Sequence, residues 1–222
     1  PADSTILNGH ACDTMNTITQ TQLLAELERV VPRDALLDSE EAMRPFECDG
    51  LSVYRKLPLL VALPENTAQI REILKTCNRL GVPVVTRGAG TGLSGGALPH
   101  SQGVLLSLAR FNNILQVDPK RRLARVQPGV TNLAISEACA PFGLFYAPDP
   151  SSQIACSIGG NVAENAGGVW AIWPMNWGST WWMRPGMRHM PIFSYPTYPS
   201  GEPSTWTGCE KWFTATVTIP PW

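Results

Sequence analysis

The chain has 222 residues, with 17 basic and 18 acidic side chains and a formal net charge of −1. That balance offers no grip on nucleic acid or on an anionic membrane surface. The length suits one domain with a packed core, or one domain with an appendage. The longest nearly unbroken apolar run, Leu57 to Leu63, contains Pro58 and is far too short to span a bilayer, so no direct membrane insertion is expected.

Pro1 to Thr14 shows no structural pattern and lacks the basic-then-apolar order of a signal peptide. Residues 1–14 read as a non-native leader, with Met15 as a natural start. Leu23, Leu24, Leu27, Val30 and Val31 form the stripe of an amphipathic helix over 21–31, with Thr19 and Gln22 as a capping box and Pro32 as the stop. Arg44 to Gly50 is turn-like, so residues 15–50 read as a helix and a lead-in segment. Leu59 to Leu63 reads as a buried strand. Asn66 and Gln69 then cap a helix whose apolar face is Ile70, Ile73, Leu74, Cys77 and Leu80, and Gly81 and Pro83 end it. Val84-Val85 is the next strand. Strand, helix and strand in so short a stretch predict a right-handed, parallel βαβ unit.

Directly after that strand comes Arg87-Gly88-Ala89-Gly90-Thr91-Gly92-Leu93-Ser94-Gly95-Gly96. Glycine lets another molecule approach the main chain closely. A run of it exposes successive N–H groups that can converge on an anion, and Arg87 adds a forked cation suited to phosphate oxygens. A phosphate or diphosphate cradle fits this chemistry; a plain turn between strands is the bland alternative. A Walker loop is excluded, because no lysine lies between Lys75 and Lys120. The letters of the dinucleotide fingerprint occur at Gly90, Gly92 and Gly95, but that motif needs a helix to begin there. The chain runs instead through Pro99 into the strand-like Val104 to Leu108.

Ile114 to Val117 and Leu123 to Val126 read as a hairpin, and Thr131 caps a short helix through Cys139. Pro148-Asp149-Pro150-Ser151-Ser152 follows, then a second glycine cluster, Ser157-Ile158-Gly159-Gly160-Asn161-Val162-Ala163-Glu164-Asn165-Ala166-Gly167-Gly168. Ser157 is placed to cap a helical turn whose small residues admit a flat ligand. Asp149 and Glu164 read as hydrogen-bonding or capping residues rather than catalytic acids. The six cysteines show neither C-x-x-C nor zinc spacing, so reduced thiols, a cytoplasmic setting and no metal centre are expected.

Beyond residue 169 the composition changes. All eight tryptophans lie there, prolines recur too often for helices or central strands, and only Trp212 to Ile219 alternates like a strand. Residues 169–222 read as a Trp- and Pro-rich tail foreign to the rest: frameshifted, fused, truncated or disordered, with a genuine surface subdomain as the alternative.

Leu63-Pro64-Glu65-Asn66-Thr67, the first glycine loop, Pro148 to Ser152 and the second glycine cluster occur in an order that resembles one group. The pattern resembles the FAD-binding, PCMH-type domain of the vanillyl-alcohol-oxidase superfamily. Within it, the chain is similar to the family of the glycolate oxidase D subunit and the D-2-hydroxyacid (D-lactate) dehydrogenases, which Glu47 to Tyr54 also matches. The resemblance runs from Met15 to Gly168. It implies an α+β fold, incomplete at the C-terminus, with a small parallel βαβ subdomain beside a larger, mainly antiparallel one; residues 51–168 would form this partial domain. FAD would lie between the two parts. Arg87, Gly88, Ala89, Gly90, Thr91, Gly92 and Ser94 would wrap the diphosphate. Pro148, Asp149, Ser157, Ile158, Gly160 and Asn161 would line the other side, with Asn165 and Gly167 close by.

Members that tether flavin through this first loop use a histidine within it; residues 84–99 contain none, so non-covalent FAD is implied. The implied chemistry is oxidation of a small 2-hydroxy acid by hydride transfer to FAD, within a possible multisubunit glycolate oxidase complex. The family's substrate groups come mainly from a cap domain that this sequence does not match, so no catalytic residue is named. The isolated chain is expected to bind FAD weakly or not at all. A non-catalytic fragment or interaction module that keeps only the cofactor fold is the alternative.

Overall fold

The computed structural model describes residues 18–166 and the strand Ala215–Thr218. Helix α1 (Gln20–Leu27) begins at the capping box read from the sequence: the Thr19 hydroxyl accepts from the Gln22 amide, and the Gln22 side chain accepts from the Thr19 amide. It ends at Leu27, short of Pro32. Val31 precedes a proline, which disfavours the helical backbone there, and Val30 and Val31 instead close a tight turn onto the Leu27 carbonyl. Helix α2 (Glu40–Met43) is capped by Ser39.

The first sheet contains β1 (Leu36–Leu37), β2 (Leu60–Ala62), β3 (Val84–Arg87) and β4 (Val104–Ser107) in the order β1-β2-β4-β3. β4 runs parallel to both β2 and β3, while β1 is antiparallel to β2. The βαβ unit is therefore present, but its two strands are not neighbours, because β4 lies between them. The reason is burial. Val104, Leu105, Leu106 and Ser107 are all at most 1% exposed, as a strand covered on both faces must be. β3 is only half-buried and takes the edge.

Helix α3 (Thr67–Leu80) connects β2 to β3 across one face. Asn66 caps its start, and Gly81, at φ 67°, ends it in the left-handed conformation that glycine adopts without strain. Ile70, Ile73 and Cys77 pack with Leu23, Leu27, Leu60, Val104 and Leu106 in the main core. Each buried aliphatic side chain contributes about 1.5–3 kcal/mol, and this core fixes where β3 ends.

The second sheet is antiparallel: β5 (Ile114–Asp118), β6 (Leu123–Val126) and β7 (Ala215–Thr218). β5 and β6 form the expected hairpin, with a bulge between Ile114 and Gln116. β7 falls within the Trp212 to Ile219 stretch read as strand-like, and it pairs with β6. Helix α4 (Asn132–Cys139), capped by Thr131, and helix α5 (Ile158–Glu164) pack on this sheet through Ala124, Val126, Ile135, Cys139, Leu144, Tyr146 and Ile158. A small parallel part beside an antiparallel part is the α+β architecture that the sequence implied.

Candidate functional site

β3 delivers the chain to the carboxyl end of the parallel sheet, and the first glycine loop begins there. No helix follows: residues 88–103 contain only turns and bends before β4. Among the described residues, no acceptor takes a hydrogen bond from the main-chain amides of Gly88 through Ser94. Unpaired backbone donors held together are costly unless water or a ligand satisfies them. The loop is therefore built as a row of donors.

The second glycine cluster faces it. A Cβ added to Gly88 would lie 2.2 Å from the Ser157 hydroxyl oxygen and 3.6 Å from the Gly160 nitrogen. Only glycine allows the two segments to meet this closely. Ser157 sits at the N-cap position of α5, yet its side chain makes no capping bond. This corrects the capping role read from the sequence: the hydroxyl is turned toward Gly88, buried and without a partner among the described residues. A buried, unpaired hydroxyl beside free amides is what a polar ligand would complete. Ser107, opposite Arg87 in the sheet register, has a second unpaired buried hydroxyl.

Arg87 is otherwise engaged. Its guanidinium donates to the Cys48 carbonyl, lies 5.7 Å from the Phe46 ring centre and folds against Gly90. Burial pulls its pKa below the ordinary arginine value, while the neighbouring Cys48 and Asp49 oppose that shift. Arg87 thus ties the lead-in segment to the loop, and Gly50 packs against the carbonyls of Thr91 and Gly92.

The other predicted residues divide into those near the loop and those supporting it. Ile158 is fully buried and its amide donates to the Val130 carbonyl, so it anchors α5. Asn161 is buried as well. Its side-chain amide donates to the Asn132 side chain at 2.7 Å, and the Asn132 amide donates to the Pro148 carbonyl at 3.0 Å. This relay fastens the Pro148-Asp149 segment to α5. Asn132 was missed by the sequence reading. The available signal was its place on the stripe Asn132, Ile135 and Cys139, an otherwise apolar face of α4. Asn165 ends α5 at φ 53°, and Gly167 lies outside the described residues. Glu164, at the last position of α5, reaches back to the first loop, with both carboxylate oxygens 3.4 Å from the Ser94 hydroxyl. Among the described residues, no cluster of side chains suits a metal ion, and no helix is long and apolar enough to cross a membrane.

The geometry is therefore a donor-rich loop pressed against a small-residue helix between two subdomains, suited to an extended anionic ligand. Comparison with known proteins agrees. The glycolate oxidase subunit GlcD of Escherichia coli (strain K12) is 64% identical over 152 residues, which cover 68% of this chain and 30% of that protein. The D-lactate dehydrogenase of Anaerostipes hadrus is 33% identical over 152 residues, covering 68% of this chain and 32% of that protein. The chain thus spans about a third of the length of these relatives. A solved structure of p-cresol methylhydroxylase with substrate bound shares the fold, at a TM-score of 0.65 and 17% identity over 90% of this chain and 43% of that one. Residues 58–175 match the family described as the FAD binding domain. The chain belongs to that family, and FAD is its cofactor.

Proposed function

We propose that this chain is the cofactor-holding part of a flavin-dependent oxidoreductase that oxidises a small 2-hydroxy acid of the glycolate or D-lactate kind, with FAD held non-covalently. The observation that carries this reading is the row of amides from Gly88 to Ser94 that find no acceptor among the described residues, facing α5 across a glycine contact. Those donors fit a diphosphate, and the unpaired Ser157 hydroxyl supplies a further polar partner beside them. The lack of histidine between Val84 and Pro99 supports non-covalent attachment.

Bound FAD supplies a two-electron acceptor for the C2–H bond of the substrate. The chain's own part is to bind and to orient. The amides of Gly88, Ala89, Gly90, Thr91, Gly92 and Ser94 would hold the diphosphate, with Gly160 and Ser157 opposite. Ile158, Asn161 and Asn132 keep α5 and the Pro148-Asp149 wall in place, and Asn165 ends α5. Arg87 shapes the loop from behind. Assembly with partner subunits and a cytoplasmic setting belong to the same reading; Cys48, Cys77, Cys139 and Cys156 are all free thiols.

Association costs about 4–15 kcal/mol, and a charge-assisted hydrogen bond returns about 1.5–3 kcal/mol. A few loop bonds therefore give only weak affinity. Titrating the 222-residue chain with FAD and with ADP, followed by flavin fluorescence and calorimetry, should show weak binding of both that Gly88→Val abolishes. Binding unchanged in that variant would overturn the reading. A second reading is a cofactor holder without turnover, in which the loop and α5 keep the same donor geometry. Dye reduction by glycolate or D-lactate in the presence of FAD separates the two.

A further inference from the structure

Glu164 is poorly placed for its own helix. The C-terminal end of a helix carries partial negative charge and favours cations, yet the last position of α5 is a carboxylate. Its surroundings across the cleft are the compensation. One carboxylate oxygen stands 3.6 Å and 3.3 Å from where Cβ atoms on Gly92 and Gly96 would be. Both oxygens contact the Ser94 hydroxyl at 3.4 Å. The acid therefore covers the arc from Gly92 to Gly96, the far half of the loop whose amides lack acceptors.

We propose that Glu164 is an anionic clasp. In the ligand-free chain it holds the glycine loop against α5 through Ser94, and it competes electrostatically with any anion that approaches the loop amides. The Ser94 contact is longer than a settled hydrogen bond, so the pair parts readily. A ligand that makes further contacts beyond the loop can displace the acid, whereas a bare anion meets its repulsion in full. Glu164 is thus a positioning and selecting residue rather than a catalytic one. The inference rests on the loop's being a diphosphate site, and its test separates the two ideas.

The probe is inorganic pyrophosphate, titrated calorimetrically into the full chain and into Glu164→Gln, a variant that keeps the side chain's shape and removes its charge. Removing a like charge at this range should tighten pyrophosphate binding about fivefold at low salt, with the gain shrinking as salt is added. Limited proteolysis in the ligand-free state with a protease of broad specificity provides the second readout. Ser94→Ala and Glu164→Ala should speed cleavage within residues 88–96, while the amides of α3 keep their protection from hydrogen exchange as a control on folding. Pyrophosphate affinity in Glu164→Gln equal to or weaker than in the parent chain would overturn the clasp and leave the diphosphate site standing. Pyrophosphate bound by no variant would overturn the site itself, and the clasp's competition with it.

Discussion

The two glycine segments have similar compositions and use their glycines in opposite ways. In the first, Gly88 to Gly96, backbone amides find no acceptor among the described residues and the segment forms no regular structure. In the second, Ser157 to Ala166, backbone groups are consumed. Ile158 and Gly159 donate to the carbonyls of Val130 and Pro128, Asn161 donates to Ser157, and Ala166 donates to Asn161. Glycine in the first segment mainly presents donors, with Gly88 alone also packed against Ser157; in the second it permits close packing. A glycine-rich motif is therefore an ambiguous signal until its amides are accounted for.

Substitution in the packing segment should have the largest effect on stability. A Cβ on Gly159 would lie 2.8 Å from the Pro128 Cβ and 3.0 Å from its carbonyl oxygen. Part of that crowding is against backbone, which cannot rotate away, so Gly159→Ala should cost about 3 kcal/mol. Denaturant unfolding measures this without any ligand. A midpoint equal to that of the parent chain would break the comparison. Next comes the relay behind the second segment. Asn132→Ala strands the Pro148 carbonyl and removes one acceptor from Asn161, at a cost of about 2 kcal/mol. The same variant should loosen the Pro148-Asp149 wall, visible as faster hydrogen exchange there.

The frame beneath the first loop can be weakened without touching a glycine. Burial pushes the Cys77 thiol up to about 11, from an ordinary value of 9.0. A thiol whose folded pKa is raised supports the fold fully below the unfolded value, and that support is lost as pH climbs through the folded one. Stability should thus fall between pH 9 and about 11, by about 2–3 kcal/mol from this group. Burial raises Tyr146 and Cys139 as well, in the core beneath α5. Cys77→Val should flatten only the Cys77 part of the alkaline loss in urea titrations at stepped pH. An unaltered alkaline slope would remove Cys77 as its source.

What was legible in the sequence was mostly local. The caps at Thr19, Asn66 and Thr131 and the left-handed stop at Gly81 depend on residues within one turn, and all four stand in the structure. Strand order was not legible from adjacency along the chain. It depends on which strand is covered on both faces, and the unbroken apolar run Val104-Leu105-Leu106 was the clue. β1 and α2 are too short to show any period. The tie from Arg87 to Cys48 spans 39 positions, so no local pattern announces it, and a cation that reads as a phosphate ligand is engaged behind the loop. Ser157 shows the converse: a good capping residue by type, drawn away from its helix by the neighbouring segment.

The smallest expected change in stability sharpens the comparison most. Gly92 does not have a left-handed backbone, and a Cβ there would meet the nearest Glu164 oxygen at 3.6 Å, an ordinary contact. Gly92→Ala also restricts the unfolded chain, which offsets small losses, so stability should stay within about 0.5 kcal/mol of the parent. Binding should not be spared. The new methyl stands on the face of the loop that Glu164 covers and crowds an anion approaching the amides, so pyrophosphate and ADP affinity should each drop about tenfold, or about 1.4 kcal/mol. Gly159→Ala and Gly92→Ala would then be mirror images, one failing in folding and the other in binding. If Gly92→Ala instead unfolded the chain and bound ligand normally whenever folded, the first loop would be a packing element like the second, and the division between the two segments would be lost.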